Sequence, residues 1–430
     1  MNTTQTYNIK DFGAHTCDML QTEFVQKALD TCFLAGGGTV VIPKGIYRIG
    51  CIRLRSNTRL HLESGAILEG SHNPEDYLGY VKDAIEPIDT TEELINRKEG
   101  RSAYPFSRWS NAIIRAIDAE NVSITGDVGS FINGVDCYDE VGEEGYRGPH
   151  AIHMYNCKNV YLDGYTIMHS ANWAHHIWNT KNITAKNLTV YGGHDGFDVR
   201  TCDDILIENC EFYTGDDCIA GFDNNDVVIR NCILNSSCSA LRFGGNNILV
   251  ENCHSYAPGD FGHRYTLPSE KQKLSAPTDE SCRHNMYTPF LYYCDFRAEI
   301  RKTPGDILVR NCIFENPDSI FKLEFDGQHI WCCNRSLSSI TFENCKFTNV
   351  CEPAVLHGDE NEKITFTLKD VTITARNDYS DTPLITALNY DKILLENITL
   401  EGFNVPKIIV ESNGEIQCVN SGKILINKKS

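Results

Sequence analysis

Through the middle of the chain, short apolar runs alternate with polar residues, break at a polar turn and start again about 22 residues later. The segments "KNITAKNLTV" from 181, "DDILIENCEF" from 203, "NDVVIRNCIL" from 225 and "NNILVENCHS" from 246 carry the pattern most fully. Ile183, Ile205, Val227 and Ile248 form an apolar column. Asn187, Asn209, Asn231 and Asn252 form a polar one, with Leu188, Cys210, Cys232 and Cys253 beside it. A period of two predicts half-buried strands. The unit has no helical pattern and is too short for a strand-helix-strand crossover, so its strands must stack in parallel. Internal repetition at this spacing predicts coils, with equivalent residues standing above one another. The expected fold class is all-β, a right-handed single-stranded parallel β-helix. The asparagines are expected to form buried ladders at the turns, each amide bonding its neighbours along the stack.

The pattern extends in both directions, and one domain is expected over residues 1–430. Residues 7–77 read as an N-terminal cap and first coils: "TEFVQKALDTCFLAGGGTVVIP" predicts an amphipathic helix, ending at Gly36 to Gly38, that covers the open first rung. Residues 119–253 are the central coils and residues 304–430 the C-terminal ones. Two segments depart from the pattern. Residues 78–118 are charged and irregular, and residues 254–303 form a long insertion rich in aromatics, His and Arg, placed to border a binding groove. His263, Arg264, Arg283 and His284 are candidate contacts there, and Tyr287, Phe290 and Tyr292 candidate stacking or packing surfaces.

Composition narrows the function. A net charge of −19 argues against nucleic acid and anionic membrane surfaces as partners, and favours short or neutral sugars over long polyanions. The 19 cysteines recur in Asn-Cys pairs and read as small reduced core residues; no metal and no cofactor is expected. No apolar run is long enough to span a membrane, and the N-terminus lacks a basic-then-apolar leader, so a cytoplasmic location is expected.

Within the repeat, "DGFDVRTCDDILIENCEFYTGDDCIAG" (195 to 221) keeps two acidic clusters that a strand does not favour, Asp195-Gly196 and Gly215-Asp216-Asp217. Asp195 and Asp217 differ by 22 residues, which places them on neighbouring rungs about 5 Å apart along the axis. Three carboxylates gathered in one cleft suit acid-base chemistry. Two other readings stand beside it: ordinary turn dipeptides, of which Asp203-Asp204 is another example, and an acidic calcium site.

Two stretches resemble the pectin-degrading polygalacturonases, glycoside hydrolase family 28. They are "YNIKDFGAHTCDMLQTEFVQKALDTCFLAGGGTVVIPKGIYRIGCIRLRSNTRLHLESGAILEGS" (7 to 71) and "SANWAHHIWNTKNITAKNLTVYGGHDGFDVRTCDDILIENCEFYTGDDCIAG" (170 to 221). The resemblance implies an inverting glycoside hydrolase with Asp216 as the acid and Asp195 and Asp217 positioning the water, on the outer surface of adjacent coils. The family continues with a Gly-His-Gly segment one coil later and an Arg-Ile-Lys motif beyond it. In this chain Ser239, or its neighbour Cys238, stands at the first, and His194 follows Gly193 where the family has Asn-Thr.

The binding residues expected are His194, Asp198, Ser239, Arg242, Arg301 and Lys302. The last two lie in "EIRKT", the nearest echo of the basic motif. Arg242 falls two rungs from Asp198 in one column, where it either pairs with Asp198 or grips a substrate carboxylate. The function expected is hydrolysis of short oligosaccharides, uronic-acid-containing ones among them. The alternatives are another β-helix carbohydrate enzyme (lyase, epimerase or fructotransferase) and a non-catalytic glycan-binding solenoid. The oligomeric state is left open.

Overall fold

The computed structural model describes residues 5–77, 111–137, 148–265, 279–294, 301–327, 332 and 334–429. They fall into two compact units, residues 1–198 with 264–282, and residues 199–263 with 283–430. The chain is a right-handed parallel β-helix, the hand that right-twisted strands impose on parallel crossovers. No described helix is long and apolar enough to cross a membrane.

In the first unit the helix Thr22–Leu34 buries Val25, Ala28, Leu29 and Cys32 against the first strands. The buried amide of Gln26 fixes it there, donating to the Arg53 carbonyl (3.1 Å) and accepting from the Arg53 N–H (2.7 Å). Strands then stack in three ladders. One runs through Thr58–Leu62, Glu120–Gly126, Lys158–Asp163 and Lys181–Lys186. A second takes Ile52–Arg53, Ala112–Ile117, His150–Tyr155 and His175–Trp178, so that Arg53, Arg115, His153 and His176 face one another in register. A third joins Ala66–Gly70, Phe131–Asn133, Thr166–Met168 and Thr189–Gly192. Ala112–Ile117 is therefore regular strand within the segment read as irregular; residues 78–110 of that segment lie outside the described residues.

The second unit repeats the arrangement. Ile205 stands opposite Val227, and Val227 opposite Ile248, as the columns require. Two strands fall inside the segment read as insertion. His254–Tyr256 continues one ladder, and Thr288–Tyr292 pairs with Ser239–Phe243 in another. Phe290 and Tyr292 consequently point into the core, because they share the register of Leu241 and Phe243; they are packing residues rather than a sugar platform. The departure from the coil is thus shorter than the expected 254–303.

The asparagine columns are ladders at the turns, but they are not buried. The Asn159 amide donates to Asn121 Oδ1 (2.9 Å) and Asn182 to Asn159 Oδ1 (2.8 Å), at exposed positions. In the second unit Asn247 donates to Asp226 (2.7 Å) and Asn344 to Asn311 (2.8 Å). These residues sit in the left-handed region, with φ of 57°, 56°, 56° and 51° for Asn159, Asn182, Asn247 and Asn344. Asn and Asp tolerate that conformation best among residues with a Cβ, so the turn geometry, not burial, selects them. Behind the turns the thiols of Cys210, Cys232, Cys253, Cys312 and Cys345 are buried, and each donates to the carbonyl two residues back at 3.2–3.4 Å.

Asn247→Ala is expected to destabilise the second unit by about 1–3 kcal/mol, because alanine must hold a left-handed φ and the amide bond is lost. Asn247→Gly keeps the conformation and loses only the bond, so it should cost distinctly less. Urea denaturation of the two variants separates the terms, and equal losses would mean that the ladder bond alone matters.

Candidate active site

Asp216 and Asp217 occupy the corner between the strands Glu211–Thr214 and Ile219–Arg230. The corner is held from inside. The Thr214 hydroxyl donates to the Asp216 carbonyl (2.9 Å), and the Ser236 hydroxyl of the next coil donates to the same oxygen (2.7 Å). Cys218 follows, its thiol bonded to the Asn235 carbonyl (3.3 Å).

The two carboxylates are almost wholly out of solvent, 6% exposed for Asp216 and 1% for Asp217, where an open outer surface was expected. A strap of chain after Tyr256 lies beside them. Asn235 anchors it by donating to the carbonyls of Tyr256 (3.1 Å) and Pro258 (2.9 Å) and accepting from the Asp260 N–H (2.7 Å). Gly259 lies so close that a Cβ would stand 2.2 Å from Ser237 Oγ, and the Ser237 hydroxyl donates to the Phe261 carbonyl (2.5 Å). The strap then brings His263 Nδ1 to 3.9 Å from Asp216 Oδ1. Its return limb adds Arg283, whose carbonyl accepts the His263 N–H (2.9 Å) and whose Nη2 donates to Cys238 Sγ (3.4 Å).

Charge in this pocket is asymmetric. Arg242 Nε stands 2.5 Å from Asp217 Oδ2, and its guanidinium lies over the Tyr293 ring at 4.5 Å. Burial pushes the Asp217 carboxyl up to about 6 even so. The Arg242 charge pulls it down and the Asp216 charge pushes it further up. Burial beside the two carboxylates likewise holds the Cys238 thiol well above the ordinary thiol range, so it stays neutral. Asp216, Cys238 and His263 offer donor atoms within 4.8 Å of one another, a set that a soft cation would accept. The Arg283 guanidinium on the Cys238 sulfur opposes one.

Within the first unit, Asp195 and His194 are also buried. Gly193 is fixed by a close approach, since a Cβ there would meet the Tyr265 carbonyl at 1.7 Å. His175, which sequence reasoning missed, donates from Nδ1 to the Gly196 carbonyl (2.9 Å) and faces the Tyr165 hydroxyl at Nε2 (3.0 Å). Burial lowers it to about 4, so it is neutral and braces the backbone that carries Asp195. The paired histidines of "WAHHIW" were its only signal. Asp198 is fully buried in this unit.

Three expected binding residues take other places. Arg301 is turned into the coil edge: Nε meets Asp223 (2.8 Å), Nη1 meets Asp203 (2.8 Å), and Nη2 reaches the Cys202 and Asp223 carbonyls. Lys302 pairs with Asp226 at 2.9 Å. Both lock turns, which also gives Asp203 a structural purpose. Ser239 is fully buried and shares the inward register of Leu241 and Phe243; its neighbour Cys238 is the residue that reaches the acidic pair. Arg242 pairs with Asp217, a partner that column reasoning did not consider.

The family model of glycosyl hydrolases family 28 matches residues 92–240. A polygalacturonase of Saccharomyces cerevisiae is 26% identical over 200 residues, covering 40% of this chain and 55% of the relative. An exo-poly-alpha-D-galacturonosidase of Dickeya chrysanthemi is 23% identical over 252 residues, covering 49% of this chain and 41% of the relative. The chain thus spans roughly half the length of the curated relatives it matches. Among solved structures, a hyperthermoactive exopolygalacturonase of Thermotoga maritima superposes with a TM-score of 0.67 at 19% identity, over 93% of this chain and 92% of that one. The fold is therefore polygalacturonase-like.

Carbon-13 NMR of the carboxyl groups should show Asp217 titrating near pH 6, and Arg242→Gln should move the midpoint upward by removing the charge that pulls it down. A midpoint near 4 in the unsubstituted protein would contradict this electrostatic picture. Because Asp217 binds its proton more tightly folded than unfolded, the stability it contributes is full below about pH 4 and is lost as pH rises through about 6. Arg301→Gln leaves the largely buried Asp223 carboxylate without its partner and should cost roughly 1–3 kcal/mol in stability, with KM unchanged. A KM effect without a stability effect would restore Arg301 to substrate binding.

Proposed function

We propose that the chain is an inverting glycoside hydrolase acting on short uronic-acid-containing oligosaccharides of the galacturonan type. The observation that carries this reading is the Asp216–Asp217 corner. Two adjacent carboxylates are withdrawn from water, one faces an arginine and the other a histidine, and Asp217 is pushed up to about 6 by burial. A turn that merely used Asp for its backbone would leave the side chains in solvent, as the asparagine turns do.

Glycosidic hydrolysis by inversion requires one protonated carboxyl at the leaving oxygen and one carboxylate that activates water from the opposite face. A buried adjacent pair gives up its two protons in separate steps, so it retains one at mildly acidic pH. The sequence resemblance makes Asp216 the proton donor, and Asp217 must be ionised, above about pH 6, to act as the base. Asp217 then holds the attacking water and accepts its proton, with Asp195 sharing that work by the sequence resemblance. His194, Asp198 and Arg242 are proposed to position the sugar around these groups. The family match over residues 92–240 and the polygalacturonase relatives support the reaction class and the substrate.

Asp216→Asn should lower kcat by at least ~100-fold while leaving the thermal transition nearly unchanged, the usual contribution of a positioned general acid being ~10²–10⁴. In the unsubstituted protein kcat should rise as pH rises through about 6, because Asp217 must lose its own proton before it can accept one from water. Full turnover by Asp216→Asn on di- or trigalacturonate would sink the reading.

A further inference from the structure

Cys238 and His263 stand beside the acidic corner without a part in the reaction as proposed. Asp216 and Cys238 occupy adjoining coils. Thr214 pairs with Ser236 and Ile219 with Leu241, so between those two contacts Cys238 lies over Asp216, one strand spacing of about 4.8 Å away. The strap supplies a third kind of donor, His263, whose Nδ1 is 3.9 Å from Asp216 Oδ1. A carboxylate oxygen, a thiol sulfur and an imidazole nitrogen thus lie within 4.8 Å of one another, all in the second unit. Cys238 is half-buried and the His263 side chain is 23% exposed, so the group is reachable from solvent.

These donors suit a zinc-class cation rather than calcium. Thiolate and imidazole select borderline and soft dications, whereas calcium takes oxygen ligands. The size fits as well. Tetrahedral zinc holds oxygen, nitrogen and sulfur donors about 3.3–3.6 Å apart, so the edge between His263 and Asp216 needs to close by only about 0.6 Å. Charge balances too, since a dication neutralises one carboxylate and one thiolate. The sulfur already attracts a positive group, Nη2 of Arg283 at 3.4 Å. That guanidinium is what an entering cation must displace, and it holds the sulfur by one hydrogen bond to a weak acceptor, which a metal–thiolate bond outweighs. Nothing in the spacing of the residues announces the site, because its ligands come from two coils and a segment outside the repeat.

We propose that Asp216, Cys238 and His263 form a binding site for zinc or a cation of its class, with water at the fourth position, and that a cation there switches the acidic corner off. Binding breaks the Cys238 S–H bond, forms a metal–sulfur bond and passes the proton to water; no electrons are transferred. Asp216, once it is a ligand, can no longer carry a proton to a leaving oxygen. The cation is an inhibitor and not a cofactor. The inhibitory half of the proposal rests on the hydrolase reading, and the binding half does not.

Cobalt(II), which reports thiolate ligation by a sulfur-to-metal charge-transfer absorption, is the probe for the site, and zinc is the probe for its effect. Reduced protein stripped of metal should take up cobalt with that absorption, and zinc should displace it. Cys238→Ser should abolish the band, and His263→Gln should weaken binding at least ~10-fold, so two ligands are read in separate variants. Cys418→Ser, which removes an exposed thiol, should leave band and affinity unchanged. Arg283→Gln should tighten binding, because the competing cation is gone. A band that survives Cys238→Ser, or an affinity that neither His263→Gln nor Arg283→Gln moves, would overturn the site. With trigalacturonate as substrate, saturating zinc should lower kcat at least ~100-fold, the contribution of the acid it ties up, and a chelator should restore it. Whatever turnover Cys238→Ser retains should be insensitive to zinc. Full turnover by zinc-saturated protein would overturn the inhibitory half. Absence of hydrolysis by the metal-free protein would instead overturn the hydrolase reading and leave the cobalt measurements standing.

Discussion

The structure depends on one backbone constraint: each coil must turn at the same place as the coil beneath it, so its turn residues adopt a left-handed conformation with φ near 55°. Side chains that tolerate it are few, and Asn or Asp fills the position rung after rung. Once the turns are stacked, the parallel ladders fall into register, because a slip by one residue would carry every apolar side chain to the wrong face. The ordered cysteines behind the turns follow from the same repetition. Small buried thiols fit where a larger residue would force the coil open, and each has the carbonyl two residues back as acceptor.

Stacking also explains how a turn becomes a site. The corner at Asp216 and Asp217 is fastened by Thr214 and Ser236, whose hydroxyls both donate to the Asp216 carbonyl. Both carboxylates are buried with the strap beside them, and burial raises the electrostatic stakes of each neighbour. Arg242 meets Asp217, and His263 meets Asp216. A solvent-exposed acidic turn would be electrostatically indifferent. The same residues buried beside a strap form a proton store that responds to mildly acidic pH.

Much of this was legible in the sequence. The 22-residue columns carried the fold class, the turn residues and the positions of the strands, since period and stacking are geometrically equivalent. The acidic clusters were legible as anomalies within strands. Contacts made by the strap were not, because no periodicity governs a segment that leaves the coil. Within the coil, column reasoning compared only stacked positions, so it placed Arg242 near Asp198 and left its pairing with Asp217 in the neighbouring column unforeseen. The echo of the family's basic motif aimed Arg301 and Lys302 at substrate, when the structure turns both against aspartates at the coil edge. The asparagine ladders were foreseen as hydrogen-bonded but taken as buried, since alternation alone does not reveal that a residue sits in a left-handed turn. His175 escaped notice because a neutral buried histidine leaves no signature beyond its apolar neighbours.

The central claim is that a buried aspartate pair cleaves a glycosidic bond with inversion. It is tested most directly by proton NMR of the first product formed from trigalacturonate, observed before mutarotation. An initial reducing end of opposite anomeric configuration to the bond cleaved is the result this account predicts. An initial product that retains the configuration, or one that carries an unsaturated ring, would contradict it.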